Sequence, residues 1–237
     1  SADLAANDEL TIDATGGNIT LNGPLNIAAA GGDVILNATN SITGTGELVA
    51  AANELTFSDT VTAITLDSLN LANVGLTEFA AATATVTGTT EISLGQTQAA
   101  GNLTLTGPLT LNDSLNVADT LTIGEYGAAL RNAFDGAEIT AGDIDILASS
   151  VTNSSFTAGT SATIGATENF AENTVTALGG TTLTAALVSG NTISAGADGA
   201  SLTGTTQIVG NLIKTSGTAT LAGDAAVNLV NNEVAAQ

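Results

Sequence analysis

The sequence has no cysteine, histidine, methionine or tryptophan, and only two of its 237 residues are cationic. The absence of cysteine excludes a disulfide framework. Without cysteine or histidine there is no thiol or imidazole catalysis, no Ser–His pair and no usual zinc ligand. Arg131 and Lys214 are outnumbered by 23 acidic residues, for a net charge of −21. This excludes the basic patch that nucleic acid or an anionic membrane surface would need, so neither is expected as a partner.

Aromatic residues and long apolar runs are also scarce. Only 3% of the residues are aromatic and Tyr126 is the single tyrosine, yet 43% of the chain is hydrophobic. A wide globular core usually contains bulky rings, whereas a slender core can be filled by stacked leucine, isoleucine, valine and alanine. No stretch reaches the roughly 18 consecutive apolar residues of a transmembrane helix, so we expect no membrane insertion.

The stretch from Gly101 to Gly124 shows the organising pattern of the chain. Its apolar residues come in pairs at i and i+2, which places both side chains on one face of a short strand. Turn-forming residues such as Gly107 and Pro108 separate the pairs. Short strands that always turn the same face inward predict a β-solenoid. The pairs are Leu103/Leu105, Leu109/Leu111, Leu115/Val117 and Leu121/Ile123.

The same pattern occurs earlier in the chain. Residues 17–25, GNITLNGPL, return as residues 101–109, GNLTLTGPL, at an offset of 84 residues. Such an offset is four coils of about 21 residues, a length typical of repeat architectures. Both copies place a proline directly after a glycine, at a corner where the sheet needs no N–H donor.

These repeats predict an all-β fold, a single-stranded parallel β-helix (β-solenoid) of about twelve coils of roughly 18–21 residues each. One domain is expected over residues 1–237. Residues 1–124 would form Leu-x-Leu coils, residues 125–138 an irregular insertion, and residues 139–237 Asn-x-apolar coils. The insertion contains the only tyrosine and the only arginine, and the segment from Gly127 to Phe134 is compatible with one or two helical turns. It would either plug a corner or form a protruding contact loop.

The Asn-x-apolar coils repeat an asparagine about once per turn. Asn173, Asn191, Asn211 and Asn232 follow one another at 18, 20 and 21 residues, and Asn153 is a looser member. Stacked amide side chains can hydrogen-bond between turns, and asparagine tolerates a left-handed corner. We therefore predict an internal asparagine ladder; a binding role for this row is the alternative.

The Leu-x-Leu coils resemble the repeat region of filamentous-haemagglutinin-like exoproteins, the β-helical adhesins that bacteria secrete by two-partner or autotransporter routes. The resemblance lies in residues 101–111, in their copy at 17–25, and in Gly32-Asp33-Val34-Ile35-Leu36. It implies a right-handed parallel β-helix that is extracellular, at the bacterial cell surface. The chain departs from that family in its shortness and in lacking a recognisable secretion domain.

No catalytic, cofactor-binding or metal-binding residue is assigned from the sequence, and no enzymatic activity is expected. Asp143 and Asp145 would share a strand face about 7 Å apart, a carboxylate pair of the kind a glycosidase uses, but an acidic chain contains such neighbours by chance. Calcium could bind at the corners Asp135-Gly136 and Asp198-Gly199, although the Gly-rich calcium nonapeptide is missing. The expectation is therefore no cofactor, with calcium as the open alternative.

Threonine rows raise ice binding as a lesser alternative, because flat rows of Thr-x-Thr can order water. Residues 83–87, TATVT, fit one such row. In the second half the rows are expected to be interrupted by Ile164, Gly204 and Ala219.

The ends of the chain carry strand-like segments and no capping helix, which predicts either a piece of a longer β-helix or a subunit that stacks head to tail. The favoured function is a structural, extracellular protein that assembles with itself into filaments or matrix fibres. Its junction would involve Leu10, Ile12, Val227, Leu229 and Val234. The alternative is a monomeric adhesin that binds a surface or a carbohydrate, such as a cell-surface or matrix polysaccharide, through residues 125–138.

Overall fold

The computed structural model describes residues 2–6, 8–29, 31–124, 132–223 and 228–236. Within these ranges the chain is all-β and has no helix. Parallel strands stack as a β-solenoid of about 11 turns, which confirms the predicted fold and comes close to the expected twelve. The chain divides into two compact units, one made mainly of residues 1–119 and the other mainly of residues 129–237. The predicted right-handedness stays a prediction.

The described residues form 25 strands, of which β13 has residues in both units. The first thirteen strands are β1 (Ala2–Ala6), β2 (Leu10–Ala14), β3 (Ile19–Leu21), β4 (Leu25–Ala29), β5 (Asp33–Ala38), β6 (Ser41–Gly44), β7 (Glu47–Phe57), β8 (Ala63–Phe79), β9 (Thr83–Leu94), β10 (Thr97–Ala99), β11 (Asn102–Thr106), β12 (Leu109–Leu111) and β13 (Leu115–Ile123).

The remaining strands belong to the second unit. They are β14 (Asn132–Asp135), β15 (Glu138–Thr152), β16 (Ser155–Ala158), β17 (Ala162–Ala171), β18 (Thr174–Ala177), β19 (Gly180–Ser189), β20 (Thr192–Ala195), β21 (Gly199–Val209), β22 (Leu212–Thr215), β23 (Ala219–Gly223), β24 (Asn228–Val230) and β25 (Glu233–Ala236).

Three series of parallel strands build the first unit. One series runs β3–β6–β8–β9–β11, and a second runs β1–β4–β7–β8–β9–β12. The third runs β2–β5–β7–β8–β10–β13. The long strand β8 belongs to all three series because it continues around the corners of the solenoid. At one of these corners, between Leu66 and Ser68, the register of its pairing with β9 shifts.

The second unit repeats this plan. Its first series runs β15–β16–β18–β20–β22–β25. A second series runs β15–β17–β19–β21–β23, and a third runs β14–β15–β17–β19–β21–β24. Every described pairing in the unit is parallel, so each turn adds one strand to each series.

The alternation of the sequence decides which side chains point inward. Of the apolar pairs predicted between Gly101 and Gly124, every member except Leu111 is buried. Threonine and asparagine occupy outward positions between them, as in β11, where Asn102, Thr104 and Thr106 are half-buried. Burial of one face of each strand is the main stabilising term of such a slender core.

The 84-residue repeat holds for one series and fails for another. Leu25 lies in register with Leu109 four turns later, as the sequence repeat predicts. Ile19, in contrast, reaches Leu105 and not Leu103 after four turns. The reason is that turns differ in length: equivalent residues lie 24 residues apart at the start of the chain and 18 to 21 apart along the asparagine row of the second unit. Corners absorb the difference.

Glycine and proline mark one such corner as predicted. Pro108 precedes β12, and its carbonyl oxygen accepts the N–H of Ile92 at 2.6 Å. The preceding Gly107 has φ +149°, and a Cβ there would lie 2.2 Å from the carbonyl oxygen of Gly88. Only glycine permits this close approach of two turns.

The predicted insertion at 125–138 falls only partly on described residues. Residues 125–131 lie outside them. Asn132 to Asp135 form β14, which pairs with β15, and Phe134 is buried in the core. The expectation of helical turns over residues 127–134 is therefore wrong for residues 132–134, because these residues extend the sheet as a strand with a buried Phe134.

The few aromatic residues stack between turns. Phe57 and Phe79 are paired in adjacent turns, with ring centroids 5.0 Å apart and planes 4° from parallel. Both side chains are almost fully buried. Phe156 and Phe170 form a second, tilted contact at 6.4 Å.

Replacing Phe79 with alanine should lower the free energy of unfolding by about 3–5 kcal/mol, because it leaves a cavity beneath the ring of Phe57. Phe79→Leu is the control and should cost clearly less, since it keeps most of the buried volume. Urea denaturation followed by circular dichroism measures both. Equal stability of the two variants would show that this site has collapsed around the smaller residue.

Candidate functional surfaces

A ladder of buried asparagines connects the turns of the second unit. Asn191 Oδ1 accepts both the backbone N–H and the side-chain Nδ2 of Asn173, at 2.9 and 3.1 Å. Asn211 Oδ1 accepts the same two groups of Asn191, at 3.1 and 2.8 Å. Asn232 Oδ1 accepts the backbone N–H and the side-chain Nδ2 of Asn211, again at 3.1 and 2.8 Å. The predicted internal ladder is thus confirmed.

The second amide hydrogen of each asparagine points the opposite way. Nδ2 of Asn191 donates to the carbonyl oxygen of Phe170, and Nδ2 of Asn211 donates to that of Val188, both at 3.0 Å. Asn173 and Asn191 are 2% and 1% exposed. Their polar atoms need protein partners because water does not reach them, and the ladder supplies those partners.

The left-handed residue of each corner precedes the ladder residue. Gly190 and Gly210 have φ values of +66° and +64°, and Glu172 and Asn231 have +59° and +53°. The expectation that the ladder asparagines themselves adopt this conformation is therefore wrong. A left-handed residue turns the chain so that the next side chain points into the corner.

The first member of the ladder is Ser154, not Asn153. The N–H of Ser154 donates to Asn173 Oδ1 at 2.9 Å, and Ser154 Oγ accepts the N–H of Ala137 at 3.0 Å. Asn153 is the left-handed residue, with φ +50°. Ser154 lies two residues before the buried Phe156, the same spacing that separates Asn173, Asn191 and Asn211 from their buried apolar residues; applying the Asn-x-apolar spacing to serine as well would have found it.

Asn153 has a different role, as a donor to Asp135. Its Nδ2 and the hydroxyl of Thr152 both donate to Asp135 Oδ1, at 2.8 and 2.9 Å. These two hydrogen bonds, that of Asn153 first, lower the pKa of Asp135 below its usual value near 3.8. These hydrogen bonds therefore stabilise the folded state fully at pH values above the pKa that Asp135 has in the unfolded chain. Their contribution is lost as the pH falls through the lower pKa that Asp135 has in the folded state.

The carboxylate pair considered for catalysis lies on one strand face as predicted. Asp143 and Asp145 flank the buried Ile144 in β15. Asp143 Oδ1 is already engaged, since it accepts the N–H and the hydroxyl of Ser161 at 3.0 and 2.7 Å. These two hydrogen bonds connect two turns and give Asp143 a structural role. The expectation of no enzymatic activity stays a prediction.

A polar groove of about 300 Å³ opens on the second unit. Its wall is a column of outward hydroxyls in register over four turns, formed by Thr163, Thr182, Ser201 and Thr220. At its corner lies the exposed carboxylate of Asp198. Gly180 leaves room for this residue, because a Cβ there would lie 3.2 Å from the Cβ of Asp198.

The corners considered for calcium contain one acidic residue each. Asp135 accepts two side-chain donors, and Asp198 lines the groove. Within the described ranges, no group of three or more acidic, histidine or cysteine side chains is placed to hold a metal ion. The expectation of no cofactor, with calcium as its alternative, stays a prediction.

Outward threonines form a regular array on the first unit. One column contains a threonine in five successive turns: Thr20, Thr43, Thr65, Thr87 and Thr106. The neighbouring column, two residues earlier in each strand, contains Ser41, Ala63, Thr85 and Thr104. Eight of these nine positions carry a hydroxyl. Thr85 and Thr87 of the predicted row at residues 83–87 belong to this array.

The expected interruptions of the threonine rows do not occur where the sequence placed them. Ile164 and Gly204 are buried inward positions, and Ala219 pairs with the buried Ala200. All three residues belong to core-facing columns, next to the outward columns that carry the hydroxyls. The prediction that these residues interrupt the outward threonine rows is therefore wrong, because they lie on the opposite face of their strands.

Comparison with known proteins found no matching family, no similar curated protein and no similar solved structure. No described helix could cross a membrane, since the described residues contain none. The resemblance to filamentous-haemagglutinin-like repeats therefore stays an expectation from the sequence.

Replacing Asn191 with alanine should destabilise the second unit by on the order of 3 kcal/mol, because buried donors of Asn173 and the carbonyl oxygen of Phe170 lose their partners. The exposed Asn116, changed to alanine, is the matched control and should have an effect within about 0.5 kcal/mol. Urea unfolding of both variants measures the difference. Similar stabilities would show that water replaces the missing amide.

Proposed function

We propose that the protein is a structural, extracellular β-solenoid of the bacterial cell surface whose turns are extended by a second copy of the chain, head to tail. The proposal rests on two inward-facing columns of side chains in the second unit. Each column is buried in the preceding turn and ends in an apolar side chain that is exposed. Val234 is 52% exposed, although Ile213 before it in the same column is fully buried. Leu229 is 54% exposed after the buried Ile208.

The backbone at this edge also offers hydrogen bonds. Glu233 donates its N–H back to the carbonyl oxygen of Asn211 at 2.9 Å. Because alternate residues of a parallel strand bond to opposite neighbours, the N–H of Val234 points to the open side. Such a row of unpaired groups is a template for another strand.

The other edge shows the same property. Leu4 is 36% exposed at the start of a column that continues with the buried Ile27. Leu10 and Ile12, expected at the junction, are half-buried in β2 and precede the buried Val34 and Leu36. Val227, also expected there, lies outside the described residues.

Charge would control how such assemblies associate side by side. Each copy carries a net charge of −21, so parallel fibres repel one another at low ionic strength. Stacking through backbone pairing and apolar burial requires no charge complementarity. The proposed mechanism is thus mechanical and involves no chemistry.

Val234→Pro should abolish assembly, because it removes a donor at the open edge while the pairing with β22 stays intact. Val234→Thr keeps the N–H and the strand propensity and is the matched control. Electron microscopy and light scattering over a range of concentrations should show long rods for the wild type and the control, but single subunits for the proline variant. A wild type that keeps the mass of one chain throughout would contradict the proposal.

The alternative function is adhesion to a carbohydrate, and the groove at Asp198 favours it. Its hydroxyl column repeats at about 4.8 Å, the spacing of the turns. The hydroxyls can donate to and accept from sugar hydroxyls, and the carboxylate can accept from them, without needing a cation. The negative charge of the chain favours a neutral polysaccharide. The contact loop first expected for adhesion includes residues 125–131, which lie outside the described residues.

Asp198→Ala should weaken binding to a neutral polysaccharide without changing the melting temperature, because this carboxylate is exposed. The matched control is Asp59→Ala, an exposed acid of the first unit. Affinity electrophoresis in gels containing neutral or acidic polysaccharides provides the measurement. Equal retardation of the wild type and the Asp198 variant would eliminate the groove as the binding site.

A further inference from the structure

We propose that the threonine array of the first unit binds ice. The array consists of Thr20, Thr43, Thr65, Thr87 and Thr106 in one column and Ser41, Ala63, Thr85 and Thr104 in the next. This binding activity goes beyond the structural role proposed above and depends on a different surface.

The first argument is geometric. Register is continuous from β3 through β6, β8, β9 and β11, so the hydroxyls form a two-dimensional lattice. Its repeat is about 4.8 Å between turns and about 6.7 Å between the two columns. Hexagonal ice presents oxygen rows at similar spacings on its prism faces. A surface that matches such rows can bind many water molecules of the crystal at once.

The second argument is that the hydroxyls are free to bind water. Within the described residues none of the eight hydroxyls of the array donates to or accepts from another protein group. Elsewhere, threonine hydroxyls do bond to the protein, as Thr60 does to the carbonyl oxygen of Ala38 at 2.7 Å and Thr89 to Asp67 at 3.1 Å. Each free hydroxyl offers one donor and two acceptor positions.

The third argument is rigidity. The β-branched threonine side chain has few χ1 rotamers, and the backbone beneath it is fixed by strands on both sides in the middle turns. Water bound to such an array is therefore ordered at a small additional entropic cost. The inward neighbours Ile42, Ile64 and Val86 are almost completely buried and hold the strands in place.

The fourth argument is the absence of charge. None of the nine positions is acidic, in a chain with 23 acidic residues. A charged side chain orders water around itself in a geometry that differs from ice. Asp67 lies at the corner, next to the shift of register after Leu66, and marks the edge of the array.

The second unit carries the same kind of surface, which argues against a chance arrangement. Thr140, Thr157, Thr176 and Ser194 form one outward column there, next to Ser155, Thr174 and Thr192 in a second column that begins with Glu138. That array is shorter, because Leu212 and Lys214 occupy the following turn.

The test measures thermal hysteresis and crystal shape in a nanolitre osmometer. The wild type should separate the freezing point from the melting point and produce faceted crystals. Thr65→Tyr, in the middle of the array, should lose most of this gap, because the ring stands above the lattice plane. Tyrosine favours strands, and circular dichroism checks that the variant is folded.

The matched control is Thr110→Tyr, which places the same ring on β12, outside the array, and should leave the gap unchanged. Thr65→Val, which keeps the shape and removes one hydroxyl, should reduce the gap without any change of fold. Wild-type crystals that grow as round discs at the melting point would overturn the proposal. So would equal hysteresis in all variants, or binding to crystalline cellulose with no effect on ice.

Discussion

The asparagine ladder is the interaction on which the order of the second unit depends. Each amide oxygen accepts two hydrogen bonds from the turn before. The amide nitrogens of Asn173, Asn191 and Asn211 donate to turns on both sides. The apolar columns alone would tolerate a shift of one strand by two residues against its neighbour, since leucine, isoleucine and valine can replace one another in the core. A buried amide does not tolerate it, because its partners would be lost. The ladder therefore sets the register and the apolar stack adds stability.

The sequence was sufficient for the fold and insufficient for the register. Alternation identified the inward side chains, and the spacing of Asn173, Asn191, Asn211 and Asn232 identified the ladder. Register was harder because turn length varies and the corners absorb the variation, so that Ile19 aligns with Leu105. Ser154 was missed because serine is common and its ladder role depends on a left-handed residue before it.

The candidate surfaces were less predictable for the same reason. A shift of one position moves a residue from the outer to the inner face, so Ile164 and Gly204 looked like interruptions of a threonine row when they belong to the core. Conversely, the hydroxyl columns next to Asp198 and at Thr65 depend on partners in several different turns. No local pattern contains that information; it exists only after the strands are paired.

The polarity of the ladder has a consequence for how the chain folds. The oxygen of each asparagine satisfies donors that belong to the preceding turn, so a partly folded molecule keeps its unsatisfied amides at its C-terminal front. Adding the next turn removes them, and repeat architectures can propagate from neighbour to neighbour in this way. The two ends of a partly folded ladder therefore differ in chemistry: a C-terminal front exposes amide donors, an N-terminal front exposes an amide oxygen, and each added turn satisfies whichever groups lie at its front.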